Sequence, residues 1–416
     1  MPKDPAMVKE VLVGNYKSYP KHFLLGKALK PLLGDSIFTT NGETWERQRR
    51  LLDPAFANAG LKKVFPLMVE SVKESKERLD RHKDGDICDI DVEMTHVTAD
   101  VIMRTILSVS IDGKEAREVF ENFEVFQEKS SKVNLLVMFK LPSWLFPRDW
   151  KKWRDSGKKI RHGIGNIIHR RFEEFAEKAG DTEYGDILEE LMRAEDPVTN
   201  TKFSEVELMD QVIMLFLAGH ETSASVLGWT FYILANQPQM ADRIAAEAAK
   251  TYGGLDDVQF VDVHKLKWTR DVFREALRLF PPVAFFARSA AKDTELGGCP
   301  IKKLSTINIS PWIIHRHRKL WREPDVFRPE RFSEGENKNV SGAYLPFSMG
   351  PRICIGAAFA QQEALLILGT LTRHYVFTPV DGEVPEPVSR LTLRSANGIK
   401  LHIRKRTAEE VIEESK

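Results

Sequence analysis

Cysteine is scarce in this chain: 416 residues carry three, Cys88, Cys299 and Cys354. They are widely spaced and odd in number, which excludes a disulfide framework and fits a reducing compartment. There is no secretory leader and no apolar run of roughly 18 residues able to span a bilayer. The expectation is a cytoplasmic protein without a transmembrane segment. Charge of one sign is also missing: 61 Lys+Arg against 60 Asp+Glu leave a net +1, too little to draw nucleic acid. No P-loop, no Gly-x-Gly-x-x-Gly and no internal repeat is present, so flavin, nicotinamide and repeat architectures are not expected. What is present is ordinary for a globular protein, 42% hydrophobic and 29% charged. The chain is long enough to bury a large core, and by length alone it could hold two or three domains.

One stretch stands out, Phe347-Ser-Met-Gly-Pro-Arg-Ile-Cys-Ile-Gly356. An apolar, Ala-rich helical pattern from about Ala357 to Arg373 follows at once, which puts the Cys354 sulfur at a helix N-terminus. The backbone N–H groups and the helix dipole there favour a thiolate. Gly350 and Gly356 allow a tight turn and close approach to something flat or bulky. Arg352 is suited to hold a carboxylate. A thiolate facing a planar dicarboxylate suggests haem with an axial cysteine, and with no Cys-x-x-Cys-His the haem is not covalently attached. A lone cysteine in a glycine loop is more often a buried thiol. The spacing of Phe347, Gly350, Arg352, Cys354 and Gly356, however, resembles the haem-binding loop of the cytochrome P450 family.

Four further motifs stand in that family's order. Trp45 and Arg49 lie at i,i+4 on one helical face, where an indole N–H and a guanidinium can grip one carboxylate; the resemblance assigns them to a haem propionate. A long central helix opens with a capping box, Ser204-x-x-Glu207, and its pattern runs to about Asn236. In its middle stands Ala218-Gly-His-Glu-Thr222. A zinc-binding His-Glu-x-x-His is excluded, because the second histidine position is Ala224. An acid beside an alcohol is a plausible proton-delivery pair, and the stretch resembles the family's oxygen-activation motif, so Glu221 and Thr222 are the catalytic candidates. Glu275 and Arg278 at i,i+3 match the family's Glu-x-x-Arg, and Arg331 would complete a buried structural network. After Pro281-Pro282 an extended stretch leads to Arg288, the expected partner of the second propionate.

The resemblance covers about residues 5–403. It implies that residues 1–416 form a single domain with a mainly α fold and a small β-rich lobe, the cytochrome P450 fold, holding b-type haem (iron protoporphyrin IX) ligated by Cys354. The implied activity is a monooxygenase that activates O2 with two externally supplied electrons and hydroxylates or epoxidises a hydrophobic small molecule. Those electrons would come from a separate ferredoxin, flavodoxin or flavoprotein reductase. Leu217, Ala218, Val283 and Phe285 are the substrate-pocket candidates. A peroxide-driven hydroxylase would not need Glu221-Thr222; a non-catalytic haem-thiolate sensor would show no turnover.

Further expectations concern the surroundings. The N-terminal residues Met1–Leu12 read as a short helix, which in the family follows an earlier helix and two strands. The aromatics Phe139, Trp144, Phe146, Trp150 and Trp153 read either as a lid over a substrate entrance or as packing between helices. Residues 391–401 read as a hairpin turning at Asn397-Gly398. Arg47, Arg50, Lys62 and Lys63 are read either as a basic docking patch for an acidic electron donor or as a solvated helix face.

Overall fold

The computed structural model describes residues 1–138, 145–177, 184–334, 342–407 and 410. Its helices, in chain order, are α1 (Pro5–Lys9), α2 (Phe23–Leu33), α3 (Gly42–Leu52), α4 (Asn58–Leu79), α5 (Ile90–Leu107), α6 (Lys114–Met138), α7 (Pro147–Glu177) and α8 (Ile187–Arg193). There follow α9 (Glu205–Ala235), α10 (Pro238–Thr251), the single turn α11 (Phe260–Val263), α12 (Lys267–Leu279), the single turns α13 (Pro311–Ile314) and α14 (Glu330–Ser333), and α15 (Ala357–His374). The nine described strands are short: β1 (Ile87–Asp89), β2 (Phe286–Ser289), β3 (Thr294–Leu296), β4 (Cys299–Ile301), β5 (Thr306–Ile309), β6 (Tyr375–Pro379), β7 (Pro387–Ser389), β8 (Leu393–Ser395) and β9 (Lys400–Lys405).

α9 is the axis of the helical body. Its capping box forms as the sequence implies: Glu207 N donates to Ser204 Oγ, and Ser204 N donates to Glu207 Oε2. At 1.5 Å per residue its 31 residues run for about 46 Å. Among the described residues, α9 is the one helix long and apolar enough to cross a membrane, and 83% of that apolar window is buried inside the fold. Its apolar faces therefore already have protein neighbours. α5 lies closely against it, because a Cβ on Gly219 would meet Ile102 Cδ1 at 2.5 Å; only glycine allows that approach. Thr98 of α5 donates to the His220 carbonyl across the same contact.

Two hydrophobic cores result. The large one gathers the helical body, with Trp229, Phe216 and Phe273 among its buried side chains. The small one joins the N-terminal segment to the β-rich lobe through Val8, Val11, Leu12, Tyr19, Ile307, Ile309 and Leu345. The expected N-terminal helix is present but changes pitch: α1 passes into a wider π-type turn over Glu10–Gly14. β2 and β5 form a two-stranded antiparallel sheet, and Lys21 bridges to Arg288 at its edge.

The hairpin expected over 391–401 is not what forms. β7 and β8 pair with each other, and their turn lies at residues 390–392. Asn397-Gly398 instead leads from β8 to β9, which pairs with β1 and β6 in a three-stranded sheet. The turn signal is real, but tertiary pairing sends the chain after it to another sheet. Phe139 and Trp144 lie outside the described residues. Trp153 is buried, stacks on Phe126 with centroids 5.0 Å apart and donates to Ser130 Oγ, while Trp150 packs against it. For Trp150 and Trp153 the structure thus favours packing over a lid; Phe146 is exposed.

Candidate active site around Cys354

The loop before α15 is held from two sides. On one side His315 Nε2 accepts a hydrogen bond from Leu345 N at 2.7 Å, and its Nδ1 faces the Arg278 carbonyl at 3.1 Å. Burial pushes this imidazole down to about 3, so it is neutral with its proton on Nδ1. On the other side the N-terminal segment closes over the loop. Gly350 adopts φ +74°, and a Cβ there would stand 2.2 Å from the Leu12 carbonyl oxygen. Arg352 Nη1 donates to the carbonyls of Tyr16 and Tyr19. Cys354 N donates to the Phe347 carbonyl at 2.9 Å, which closes the loop at its first motif residue. Gly356 is the N-cap of α15.

Cys354 is reached by solvent and counts among the exposed residues, yet protein encloses it on most sides. Enclosure pushes the thiol above its ordinary value; the Gly356 N–H and the Arg49 guanidinium pull the other way and do not win. A bound metal cation would supply the missing positive charge.

Cations converge beside this loop. Trp45 is buried on α3, with the Arg352 guanidinium 5.1 Å and the Lys21 ammonium 5.8 Å from its ring centre. Arg288, from β2, is buried and makes one hydrogen bond, to the Ala287 carbonyl. Burial and Arg352 push Arg288 down to about 10. Lys21 falls to about 6, through burial first and then through Arg352, Arg288 and Arg49. Lys21 also donates to the Ile37 and Thr40 carbonyls. Among the described residues no carboxylate forms an ion pair with Lys21, Arg288 or Arg352; Arg352 Nε has no partner at all. Mutual repulsion of this kind is relieved by an anionic ligand. The donor set fits a flat group bearing two carboxylates. Arg49 is partly committed, to Asp53 at 2.6 Å and the Ile353 carbonyl at 2.6 Å. Lys21 escaped the sequence reading: it sits in no motif, and only the bridge to β2 brings it here.

α9 is buried from Gln211 to Phe231 except at Ala218, Gly219 and Thr222, which are half-buried; Gly219 turns to Ile102 of α5, while Ala218 and Thr222 lie at i,i+4 on one face. Leu217, the neighbouring pocket candidate, is buried in the large core. Val283 and Phe285 are exposed, on the segment that the Leu393 N–H bond to Pro282 ties alongside α9. Thr222 Oγ1 donates to the Ala218 carbonyl at 2.7 Å, which leaves its lone pairs free to accept. Glu221 is buried and turned away, accepting from Thr392 Oγ1 at 2.7 Å. Glu363 of α15 is a second feature without a sequence signal: it is fully buried against Ser223, and burial pushes its carboxyl up to about 8.

Glu275, Arg278 and Arg331 come together as expected, all fully buried. Arg278 forks onto both carboxylate oxygens at 2.8 Å, and Arg331 Nε adds a third bond at 2.9 Å. The basic docking patch does not form. Arg47 pairs with Glu207 at 2.7 Å, Arg50 with Asp196 and Lys63 with Glu190; the charges fasten α3 and α4 to the α8–α9 region, while Lys62 and Lys63 stay exposed.

A helical body, a cysteine at the mouth of a helix and a cradle of cations are together suited to an anionic prosthetic group held through sulfur. The comparisons give that class its family. The family model described as Cytochrome P450 matches residues 2–403. Cyclooctatin synthase of Streptomyces melanosporofaciens is 31% identical over 399 residues, covering 94% of this chain and 83% of that protein. Cytokinin hydroxylase of Arabidopsis thaliana is 31% identical, with 95% and 76% covered. A solved structure titled as the haem domain of cytochrome P450DA superposes with a TM-score of 0.86 at 23% identity, covering 98% of this chain and 88% of that one, and so shares the fold. The chain belongs to the cytochrome P450 family of haem-iron monooxygenases.

Proposed function

We propose that this monooxygenase holds b-type haem through the Cys354 thiolate, takes two electrons from a separate ferredoxin, flavodoxin or flavoprotein reductase, and hydroxylates or epoxidises a hydrophobic small molecule. The observation that carries this reading is the convergence of Lys21, Arg288 and Arg352, none with a carboxylate partner in an ion pair, beside Cys354. Haem bound there supplies oxygen activation and one-electron chemistry. The chain's own groups do the rest. Arg288, Arg352, Lys21 and Trp45 would hold the propionates, with Arg49 assisting, while Phe347 and Gly356 shape the loop beside the sulfur. The small side chain of Ala218 leaves room beside Thr222 on one face of α9. Thr222 accepts and passes a proton there, and Glu221 supplies it. Val283 and Phe285 offer an apolar wall, which favours an apolar substrate. The three cysteines are all free, consistent with the cytoplasmic location that is part of this reading.

The test is the ferrous–CO spectrum. C354S should lose the red-shifted Soret band of thiolate ligation, while C88S and C299S keep it. A C354S protein that retains the thiolate spectrum overturns the proposal.

A further inference from the structure

Glu221 does not sit alone behind Thr222. Besides the Thr392 hydroxyl, its Oε1 has Arg394 Nε 3.9 Å away, and its Oε2 is buried without a partner. Thr392 precedes β8 and Arg394 lies on it. That strand is fixed to α9 by other bonds, since Ser225 Oγ and Trp229 Nε1 both donate to the Leu393 carbonyl. The tether to Glu221 is thus separable from the docking of the strand.

Arg394 also reaches the other way. Its Nη2 donates to Thr95 Oγ1 at 2.6 Å and lies 3.5 Å from Asp91 Oδ2 on α5, while Nη1 is buried and unpartnered. Glu124 of α6 feels the same guanidinium. The other charged or titratable groups facing the cluster are Asp89 and Arg390 beside Asp91, Glu121 beside Glu124, and His220 beside Glu221. One guanidinium shared between Asp91 and Glu221 leaves an excess of negative charge in a largely buried space, and such a pair retains protons. Asp91 accordingly stands above the usual carboxylate range, through burial first and then Asp89 and Glu221, against the pull of Arg394.

We propose that Arg394, with Thr392, is a positioning residue for proton delivery: it holds Glu221 at the inner end of a carboxyl pair whose outer member is Asp91. The inference rests on the reading of Glu221 and Thr222 as the proton-delivery pair. A proton enters on Asp91 from solvent and passes to Glu221. It leaves Glu221 for the Thr222 hydroxyl, which hands its own proton onward. The outer carboxyl is reloaded from solvent, and the chain ends in its starting state.

The experiment uses the haem-loaded full chain and reads two quantities. The first is the infrared C=O band of protonated buried carboxyls against pH, with E221Q and D91N assigning the bands. The second is the pH profile of peroxide release per electron donor consumed, driven by a surrogate ferredoxin and its reductase. R394M should raise the midpoint of the Glu221 band by about one pH unit or more, and R394K should restore most of it. The peroxide profile should move in the same sense. T392V, which keeps the arginine, should shift the Glu221 band as well, so the test survives an R394M protein that fails to fold. A Glu221 band unmoved by R394M, or by T392V where R394M does not fold, overturns the role of Arg394. If E221Q itself leaves the peroxide profile unchanged, the underlying reading of the acid–alcohol pair falls instead.

Discussion

Two arginine clusters flank the stretch that leads into Cys354, and they finish their hydrogen bonds differently. Around Glu275 the account closes inside the protein: Arg278, Arg331 and the Arg328 N–H all donate to one carboxylate. The remaining Arg278 donors go to the carbonyls of His315, Pro324 and Val326. Around Trp45 it stays open, with Lys21, Arg288 and Arg352 crowding one another and no carboxylate in ion-pair reach. Residue type is similar, but the closed cluster is fully buried, whereas in the open one only Arg288 is buried and Lys21 and Arg352 are half-buried. The larger difference is the partner: it separates cations that hold the fold from cations suited to a ligand.

The largest effect should come from breaking the closed cluster. E275A leaves Arg278 and Arg331 fully buried without their carboxylate, at a cost of roughly 3–5 kcal/mol, and soluble folded protein should be lost on circular dichroism and urea unfolding. A stable E275A chain would erase the contrast. In the open cluster the outcome should reverse. R288Q should leave the haem-free chain as stable or slightly more so, yet weaken haem retention by about 10–100-fold, the worth of one charge-assisted bond. Haem titration set beside the melting temperature of the haem-free protein checks both halves.

Lys21 sharpens the comparison through pH. Its folded value of about 6 lies below the ordinary 10.5, so between these the unfolded chain binds more protons than the folded one. Stability of the haem-free chain should therefore rise with pH across that window. K21M should flatten the rise, as should bound haem; an equal slope in K21M would show that the ammonium is not crowded.

The smallest effect belongs to the other buried glutamate. Glu363 has no donors like those of Glu275, and at about 8 its carboxyl is raised above the ordinary 4.5. Its contribution is complete below about 4.5 and fades as pH rises through 8. E363Q, a neutral isostere, should change stability by less than about 1 kcal/mol near pH 6 and remove that decline, as thermal melts across pH will show.

Much of this was legible before any coordinates, for reasons tied to distance along the chain. The Cys354 loop, the Ser204 capping box and the Glu275–Arg278 pair are local patterns, and local geometry decides them. Lys21 was not legible, because an isolated lysine carries no spacing and its meaning comes from a β-bridge to Arg288. The docking patch failed for the same reason: Arg47 and Arg50 find Glu207 and Asp196 roughly 150 residues away. The hairpin failed because Asn397-Gly398 marks a turn without saying which strand will pair beyond it.

The closure of Gly350 and Arg352 beneath Leu12, Tyr16 and Tyr19 has a consequence for how the protein is made. The two halves of that clasp lie 336 residues apart. At about 5–20 residues per second of synthesis, tens of seconds separate their emergence from the ribosome. Through most of that interval Val8, Val11 and Leu12 lack Ile307, Ile309 and Leu345, and the cysteine loop that closes over them is the last part of the clasp to be translated. Completion of that small core is therefore a late event, gated by the joining of an early segment to a late one. A cell that runs short of haem should accumulate chains whose early segment is open to proteases, and limited proteolysis should cut first near residues 10–20.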